Sequence, residues 1–357
     1  MTGKKVLVGM SGGTDSFVTC LLLQQQGYEP IGLTLLMWCK DAEQAEPAYV
    51  AEARQLAASL GIPHHTLDVR EHFRRCIVGN FIAEYMQGHT PNPCVQCNIH
   101  VKLRYLLSEA DRLGCDYIAT GHYARILHEK GCYFVAKGMD ARKDQSYFLW
   151  GLQQDILQRL LFPLGEMTKA EVRQVAMDNG FERVAQKADS QDICFVEGDY
   201  RDFLRYHHPT IDQEVGPGNF VDIHGKVLGR HRGYPFYTIG QRKGLEIALG
   251  VPAYVLRINA ADNEITIGDK QQLLSMEMQL HDCYFPSPSS LSENEVLLIK
   301  IRYKSMPVQG YLQEWSGTHA RVRFVAPIEA ITPGQSAVFY RNECVVGGGI
   351  ISSDFVL

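Results

Sequence analysis

A short apolar run, Lys5-Val-Leu-Val-Gly-Met10, opens into Gly9-Met-Ser-Gly-Gly-Thr-Asp-Ser16 and then into a periodic stretch from Thr14 to Gln26. An apolar run this short, ending in glycines, predicts a strand buried on both faces of a parallel sheet. Val18, Leu21 and Leu22 stand at i, i+3 and i+4, which predicts a helix, and Gly27 is its stop. At such a strand-to-helix junction, orphan backbone N–H groups and the positive helix end face outward, ready for an anion. The glycines let the chain bend closely around phosphate. Ser11, Thr14 and Ser16 would add hydroxyl donors. Asp15 would repel phosphate unless it binds a cation or orients the loop, which implies Mg2+. No lysine follows the glycines, so this is not the lysine-bearing phosphate loop.

The pattern then repeats. Ile31 to Met37, Thr66 to Val69 and Tyr117 to Ala119 read as strands; Pro47 to Leu60, Phe73 to Met86 and Asn98 to Leu113 read as helices. Such alternation predicts an α/β fold with a doubly wound, mostly parallel sheet. Thr168-Lys-Ala-Glu171 is a capping box that opens a further helix. Helical periodicity stops between His207 and Gly218, where prolines and glycines accumulate. From Asn219 the chain reads as β: Ala253 to Ile258 and Glu264 to Gly268 flank a turn at Asn263. Tyr284 to Ser292 is a Pro/Ser-rich break, and Ala320 to Phe324 alternates arginine with apolar residues. Short strands with Gly/Pro punctuation suggest a small barrel. The expected division is a catalytic domain at 1–208, a small β-rich central domain at 209–281 and a C-terminal β-barrel at 282–357.

No secretory signal is expected from Met1 to Met10, and no run approaches the roughly 20 apolar residues of a membrane span. The expectation is a soluble, cytoplasmic protein with no membrane partner. Net charge is −5, yet Ile223 to Arg257 has six Lys/Arg against one acid, and Leu298 to Phe324 has five against one. A basic face on an otherwise acidic chain is compatible with nucleic-acid binding. The ten cysteines do not form a disulfide framework in a chain of 357 residues. Thr90-Pro-Asn-Pro-Cys94-Val-Gln-Cys97-Asn98 is a proline-fixed loop, and Cys97 is expected at a helix N-terminus, where a thiol's pKa falls. A lone Cys-x-x-Cys leaves several chemistries open: half a zinc site, a redox dithiol, an iron–sulfur pair or chance.

The hexapeptide Ser11-Gly-Gly-Thr-Asp-Ser16 resembles the loop of the ATP pyrophosphatase superfamily, which splits ATP into AMP and pyrophosphate. Further along stand Thr90 to Asn98 with Val101-Lys102, Ala119-Thr-Gly-His-Tyr-Ala124, Lys143-Asp-Gln-Ser-Tyr147 and Ser190-Gln-Asp-Ile-Cys194. Phe162 to Gly165, Gly216 to Gly218 and Thr238 to Gly244 follow the same order. Together the motifs resemble the tRNA-specific 2-thiouridylases across nearly the whole chain. The resemblance implies a catalytic domain like the adenine nucleotide alpha hydrolases. It also implies ATP-dependent adenylation of the C2 carbonyl of the wobble uridine in tRNA, then persulfide sulfur transfer.

Carried over by motif, Cys97 is the nucleophile or resolving thiol and Cys194 carries the persulfide. Gly9, Met10, Ser11, Gly12, Gly13, Thr14, Asp15, Ser16, Leu35 and Gly121 are the implied ATP contacts. Asn92, Pro93 and Cys94 are implied to line the pocket of the target base. His122, Lys143, Asp144, Gln145, Arg302, Tyr303 and Gln335 are implied tRNA contacts, and Arg230, Arg232, Arg242 and Lys243 are phosphate-contact candidates. The target base must leave its stack to react. The implied partners are tRNA and a persulfide sulfur-relay protein or a cysteine desulfurase. Many family members have Asp where this chain has Cys94. The alternative cofactor is an iron–sulfur cluster on Cys94, Cys97 and Cys194.

Overall fold

A computed structural model of the chain describes residues 3–39, 46–188, 193–248, 250–287, 291–292 and 294–353. By packing it divides into two compact units. The first comprises Met1–Ile77, Cys94–Phe195 and Arg341–Val346; the second comprises Val78–Pro93, Val196–Tyr340 and Gly347–Leu357.

In the first unit, strands β1 (Lys5–Gly9), β2 (Glu29–Leu36), β3 (His64–Asp68), β4 (Tyr117–Ala119) and β7 (Leu160–Leu161) form a sheet in the order β3-β2-β1-β4-β7. Every pairing in it is parallel, with Val8 opposite Gly32 on one side and Ala119 on the other. The expected doubly wound parallel sheet is therefore present. Strand order reverses at β1, so the carboxyl ends of β1, β2 and β4 flank the crevice where such sheets bind ligands.

Helix α1 (Thr14–Gln25) buries both faces. Cys20 and Leu23 pack on Val6, Val8 and Ala119 of the sheet; Phe17 and Val18 pack on Val172, Ala176 and Ala185. The latter come from α8 (Lys169–Asp178) and α9 (Glu182–Ala185). The capping box at Thr168 is formed as expected, with Thr168 Oγ1 accepting from the Glu171 amide and the Glu171 carboxylate accepting from Thr168 N.

Two helices differ from the sequence expectation. The helix expected over Phe73–Met86 is α3 (Arg70–Phe73), a π-helical stretch Arg74–Val78, then α4 (Gly79–Met86). The helix expected from Asn98 begins five residues earlier, because Pro93 suits a first helical position. It runs as α5 (Pro93–Cys97), a π-helical turn Asn98–Lys102 and α6 (Leu103–Leu113). A hairpin that the periodicity does not announce, β5 (Ala124–Glu129) and β6 (Cys132–Lys137), turns at Lys130-Gly131 with both φ angles positive. Ala136 pairs with Cys344, also of the first unit.

In the second unit, α4 brings Phe81 against Phe203 and stacks Tyr85 on Tyr200 at 4.6 Å. Those partners lie on α10 (Tyr200–His207). Strands β8 (Gly218–Val221), β9 (Val227–His231), β10 (Tyr254–Asn259) and β11 (Glu264–Gly268) make a four-stranded sheet, β10-β11-β8-β9. Asn263 sits at φ 51°, in the turn expected there. Next come β12 (Leu274–Tyr284), β13 (Leu297–Lys300), β14 (Val308–Ser316), β15 (His319–Glu329), β16 (Ser336–Arg341) and β17 (Cys344–Ile351), in the order β12-β15-β14-β13-β16-β17. β12 also pairs with β17 through Leu280 and Ile351, which closes the barrel. Ala320, Val322 and Phe324 point into it and are buried, while Arg321 and Arg323 reach Glu277 on the outside. No helix of the described residues is long and apolar enough to cross a membrane.

Phe17 has no exposed surface and its ring lies 4.5 Å from that of Phe181. Phe17→Ala is expected to destabilise the first unit by roughly 3–5 kcal/mol. Urea unfolding followed by Trp38 and Trp150 fluorescence would show the lowered midpoint.

Candidate active site

The loop after β1 is held open by the backbone. Met10 N donates to Leu33 O (2.8 Å) and the Thr34 hydroxyl donates to Met10 O (2.9 Å). Gly12 sits at φ +74°, and a Cβ there would lie 2.9 Å from the Tyr49 carbonyl, so only glycine makes this bend without strain. Gly13 caps α1 without any side-chain cap bond, which leaves the first amides of the helix as donors for a ligand. The three hydroxyls divide differently from expectation. Ser16 Oγ donates to Gly13 O (3.1 Å) and accepts from Ser11 N (3.2 Å), closing the loop on itself. Thr14 Oγ1 donates to Val184 O (2.5 Å), anchoring α9. Both residues are buried, so Ser11 is the exposed hydroxyl of the three.

Asp15 is held in place by two partners. Its Oδ1 accepts from Lys169 Nζ (2.7 Å) and from the Tyr123 hydroxyl (2.8 Å). A second lysine, Lys187, donates to Gly12 O (3.0 Å) and pairs with Glu52. Neither lysine was expected from sequence: the capping box marked a helix start next to Lys169, with nothing to say what the ammonium faces. Gly121 belongs to the same construction, because a Cβ on it would come within 2.8 Å of the Asp15 backbone. Leu35 is buried in β2, and its carbonyl accepts from the Tyr49 hydroxyl (3.3 Å).

Cys94 and Cys97 both lie within α5, so Cys97 is the last residue of a short helix and not a residue ahead of one. Its Sγ rests 3.9 Å from Met37 Sδ, just beyond the end of β2. Phe195, next to Cys194, packs on Trp38 (6.0 Å) and on Phe73 (5.7 Å). Met37 thus touches Cys97, and Trp38 packs on the residue that follows Cys194. Ser190, Gln191 and Asp192 of the Cys194 motif lie outside the described residues.

The expected depression of the Cys97 pKa is overturned. Burial raises it, outweighing the Lys102 charge and the Lys102 backbone amide that act in the other direction. Burial raises Cys94 as well. Cys194 is pushed up to about 12 by burial, with the potential charges of Cys97 and Cys94 adding to the effect. Cys94 and Cys194 keep exposed surface, but the protein around each sulfur is dense enough to disfavour charge. All three thiols are therefore protonated near neutrality.

Among the described residues, no three His, Cys, Asp or Glu side chains come together as a metal-binding group. The three thiols as placed do not make a ligand set for an iron–sulfur cluster. His122 is hydrogen-bonded through Nδ1 to Thr120 Oγ1 (2.7 Å), and burial lowers its pKa to about 3, so it is neutral at physiological pH.

The implied tRNA-contact residues are largely engaged by the protein itself. Asp144 accepts from the amides of Gly138 and Ser146 and from the Ser146 hydroxyl. Gln145 Oε1 accepts from Tyr123 N (3.0 Å), and Lys143, half-buried, lies in the same turn. In the second unit, Gln335 Nε2 donates to the carbonyls of Thr90 (2.8 Å) and Pro91 (3.3 Å), which fixes the backbone just ahead of Asn92 and Pro93. Arg302 donates to Ala330 O and to Thr332 Oγ1, and Lys300 lies over the Tyr303 ring. Arg232 pairs with Glu246, and Arg230 donates to Pro217 O. Arg242 and Lys243 lie on the exposed loop that follows.

Three family models match in sequence order. They are the tRNA methyl transferase HUP domain over residues 4–198, the tRNA methyl transferase PRC-barrel domain over 201–269 and the aminomethyltransferase beta-barrel domain over 275–351. A tRNA-specific 2-thiouridylase of Phocaeicola vulgatus is 51% identical over 355 residues, covering 98% of this chain and 95% of the relative. That of Amoebophilus asiaticus is 45% identical over 361 residues, covering 98% and 96%. Among solved structures, the U34-tRNA thiolase NcsA of Methanococcus maripaludis is similar at 16% identity and a TM-score of 0.36, covering 60% of this chain and 68% of that one.

The Lys169–Asp15 pair gives a direct test of the loop. Lys169→Met leaves a carboxylate without its cation where phosphate must approach. ATP affinity is expected to fall about tenfold or more, roughly 1.4 kcal/mol or beyond, with Lys169→Arg closer to the parent. Equilibrium ATP titration of the folded variants measures it, and unchanged affinity would mean the pair only braces α8.

Proposed function

The chain belongs to the tRNA-specific 2-thiouridylase family, and on that footing we propose that it converts the wobble uridine of tRNA to 2-thiouridine at the cost of ATP. It is an ATP-using tRNA sulfurtransferase. The observation that supports the detailed reading is that Cys97 touches Met37 while Phe195, beside Cys194, packs on Trp38, just past the carboxyl end of β2 and next to the strand that opens into the glycine loop.

The uridine C2 carbonyl oxygen is a poor leaving group. In the proposed reaction it attacks the α-phosphorus of ATP, pyrophosphate departs, and the oxygen becomes part of AMP. The α1 amides and Ser11 bind the phosphates, with Lys169 and Tyr123 neutralising Asp15 beside them. Asp15 is the residue that would hold Mg2+ beside the phosphates, and the ion would neutralise charge on the pyrophosphate.

Sulfur arrives as a persulfide on Cys194, delivered by a persulfide-bearing relay protein or a cysteine desulfurase. Its terminal sulfur attacks C2, and the C–O bond to AMP breaks. Cys97 thiolate then attacks the inner Cys194 sulfur. The S–S bond to the nucleotide breaks, leaving sulfur on C2 and a Cys97–Cys194 disulfide that an external thiol reductant must reopen. The raised pKa of Cys94 makes it a protonated thiol, a poor substitute for a carboxylate base. Cys94 is therefore assigned to the wall of the base pocket, with Asn92 and Pro93 preceding it in the chain. Lys143, Arg242 and Lys243 are the proposed phosphate contacts on tRNA. A cytoplasmic location fits a tRNA substrate and reducible thiols.

Pyrophosphate release should depend on added tRNA, and nucleoside mass spectrometry should detect 2-thiouridine only with a sulfur donor present. Cys194→Ser and Cys97→Ser should each reduce thiolation by a factor of a hundred or more, on the order expected for loss of a covalent step. Full thiolation by Cys194→Ser would refute the persulfide route.

A further inference from the structure

We propose that Arg74 and Arg75, in an open groove at the carboxyl end of β3, hold phosphates of the tRNA backbone. This rests on the tRNA-thiolating function given above.

The groove follows from the local sequence. β3 ends at Asp68, and the chain turns at once into α3 (Arg70–Phe73) and the π-helical stretch Arg74–Val78. Phe73 and Ile77, four apart, are buried on one side of this segment. Arg70, Arg74 and Arg75 line a cavity of about 640 Å3 on its other side. Asp68 fixes the entry to the segment: its carboxylate accepts from the Arg70 amide (3.0 Å) and from Arg70 Nη2 (2.5 Å). Tyr105 of α6 completes the wall, with its hydroxyl hydrogen-bonded to His72 Nδ1 (2.9 Å).

Arg70 is engaged by Asp68 and contributes shape to the groove more than free charge. Arg74 and Arg75 are exposed, and among the described residues neither guanidinium has an ion pair or a hydrogen bond, not even with Glu71 on the same wall. Guanidinium forks bind phosphate oxygens in pairs. The volume is in the range of whole small-molecule sites, more than one phosphate fills, and suits a stretch of backbone. The location favours RNA over a free anion. β3 is the edge of the sheet β3-β2-β1-β4-β7, with Leu36 of β2 opposite Asp68. Strands lie about 4.8 Å apart, so the end of β3 stands roughly 10 Å from the end of β1, where the glycine loop begins. On the buried side of the segment, Phe73 packs on Phe195, the neighbour of Cys194, at 5.7 Å. An RNA strand that reaches the glycine loop and Cys194 therefore passes close to the groove. Asp144 and Gln145, implied to touch tRNA in the same unit, use their side chains on backbone groups, which leaves phosphate contact to unpaired cations such as these.

Binding of an unmodified tRNA transcript to the full chain, measured by fluorescence anisotropy over a range of salt, tests this. For Arg74→Gln combined with Arg75→Gln, affinity near 0.1 M salt is expected to fall about tenfold or more. The slope of the log binding constant against log salt should lessen by about one for each arginine removed. Arg74→Lys with Arg75→Lys should keep most of both. Unchanged affinity and slope in a glutamine variant with the parent's circular dichroism and ATP affinity overturn the proposal. Glu71→Gln gives a second reading if the glutamine pair does not fold: with a carboxylate gone from the wall, tRNA should bind about threefold tighter, and unchanged binding there also overturns the groove. Two other occupants have their own signatures. Saturable, arginine-dependent binding of inorganic phosphate in calorimetry, with tRNA binding unaltered in the glutamine variant, would make this a free-anion site and refute the tRNA assignment. Normal tRNA binding with slower thiolation from a persulfide-loaded cysteine desulfurase would give the groove to an acidic donor protein and refute it likewise. Failure of the proposed function is distinct: a parent chain that binds tRNA through these arginines yet makes no 2-thiouridine leaves the groove standing.

Discussion

The nucleotide loop depends on one ion pair. Asp15 stands where phosphate charge must gather, and by itself it would oppose the ligand. Lys169 Nζ at 2.7 Å and the Tyr123 hydroxyl at 2.8 Å remove that objection and tie the start of α1 to α8 and to the segment after β4. Lys169 is buried and Asp15 partly so, and removing the lysine would leave a carboxylate that water only partly compensates. The close approach of Gly121 to the Asp15 backbone, the Thr14 bond to Val184 and the Lys187 bond to Gly12 all serve the same junction. The loop is a product of three distant chain segments, although its sequence is contiguous.

The sulfur site presents the opposite problem. The protein packed around the thiols disfavours the thiolate that the proposed sulfur transfer needs. The raised pKa values of Cys97 and Cys194 record that conflict.

Residues implied to touch tRNA fall into a pattern of their own. Asp144, Gln145, Gln335 and Arg302 use their side chains to hold loops: the 138–146 turn, the Tyr123 backbone, the Thr90-Pro91 carbonyls and the Ala330–Thr332 bend. Loops that present bases or phosphates must be rigid, and polar side chains satisfying backbone groups make them so. A motif match cannot distinguish a residue that touches the ligand from one that shapes the loop beside it.

The sequence alone was sufficient for the parallel sheet, the glycine loop between β1 and α1 and the capping box at Thr168, because each is written in contiguous residues with a fixed period or spacing. It was insufficient for the Lys130-Gly131 hairpin, which the periodicity does not announce, and for the helix start at Pro93, which moved Cys97 from a helix entrance into a helix. Tertiary structure decided the ionisation of the thiols, since burial is set by segments such as Met37-Trp38 and Phe195 that lie far from Cys97 in the chain. It also decided the partners of Asp15, because local pattern specifies which residues form a helix but not which charge that helix brings to a loop 154 residues away.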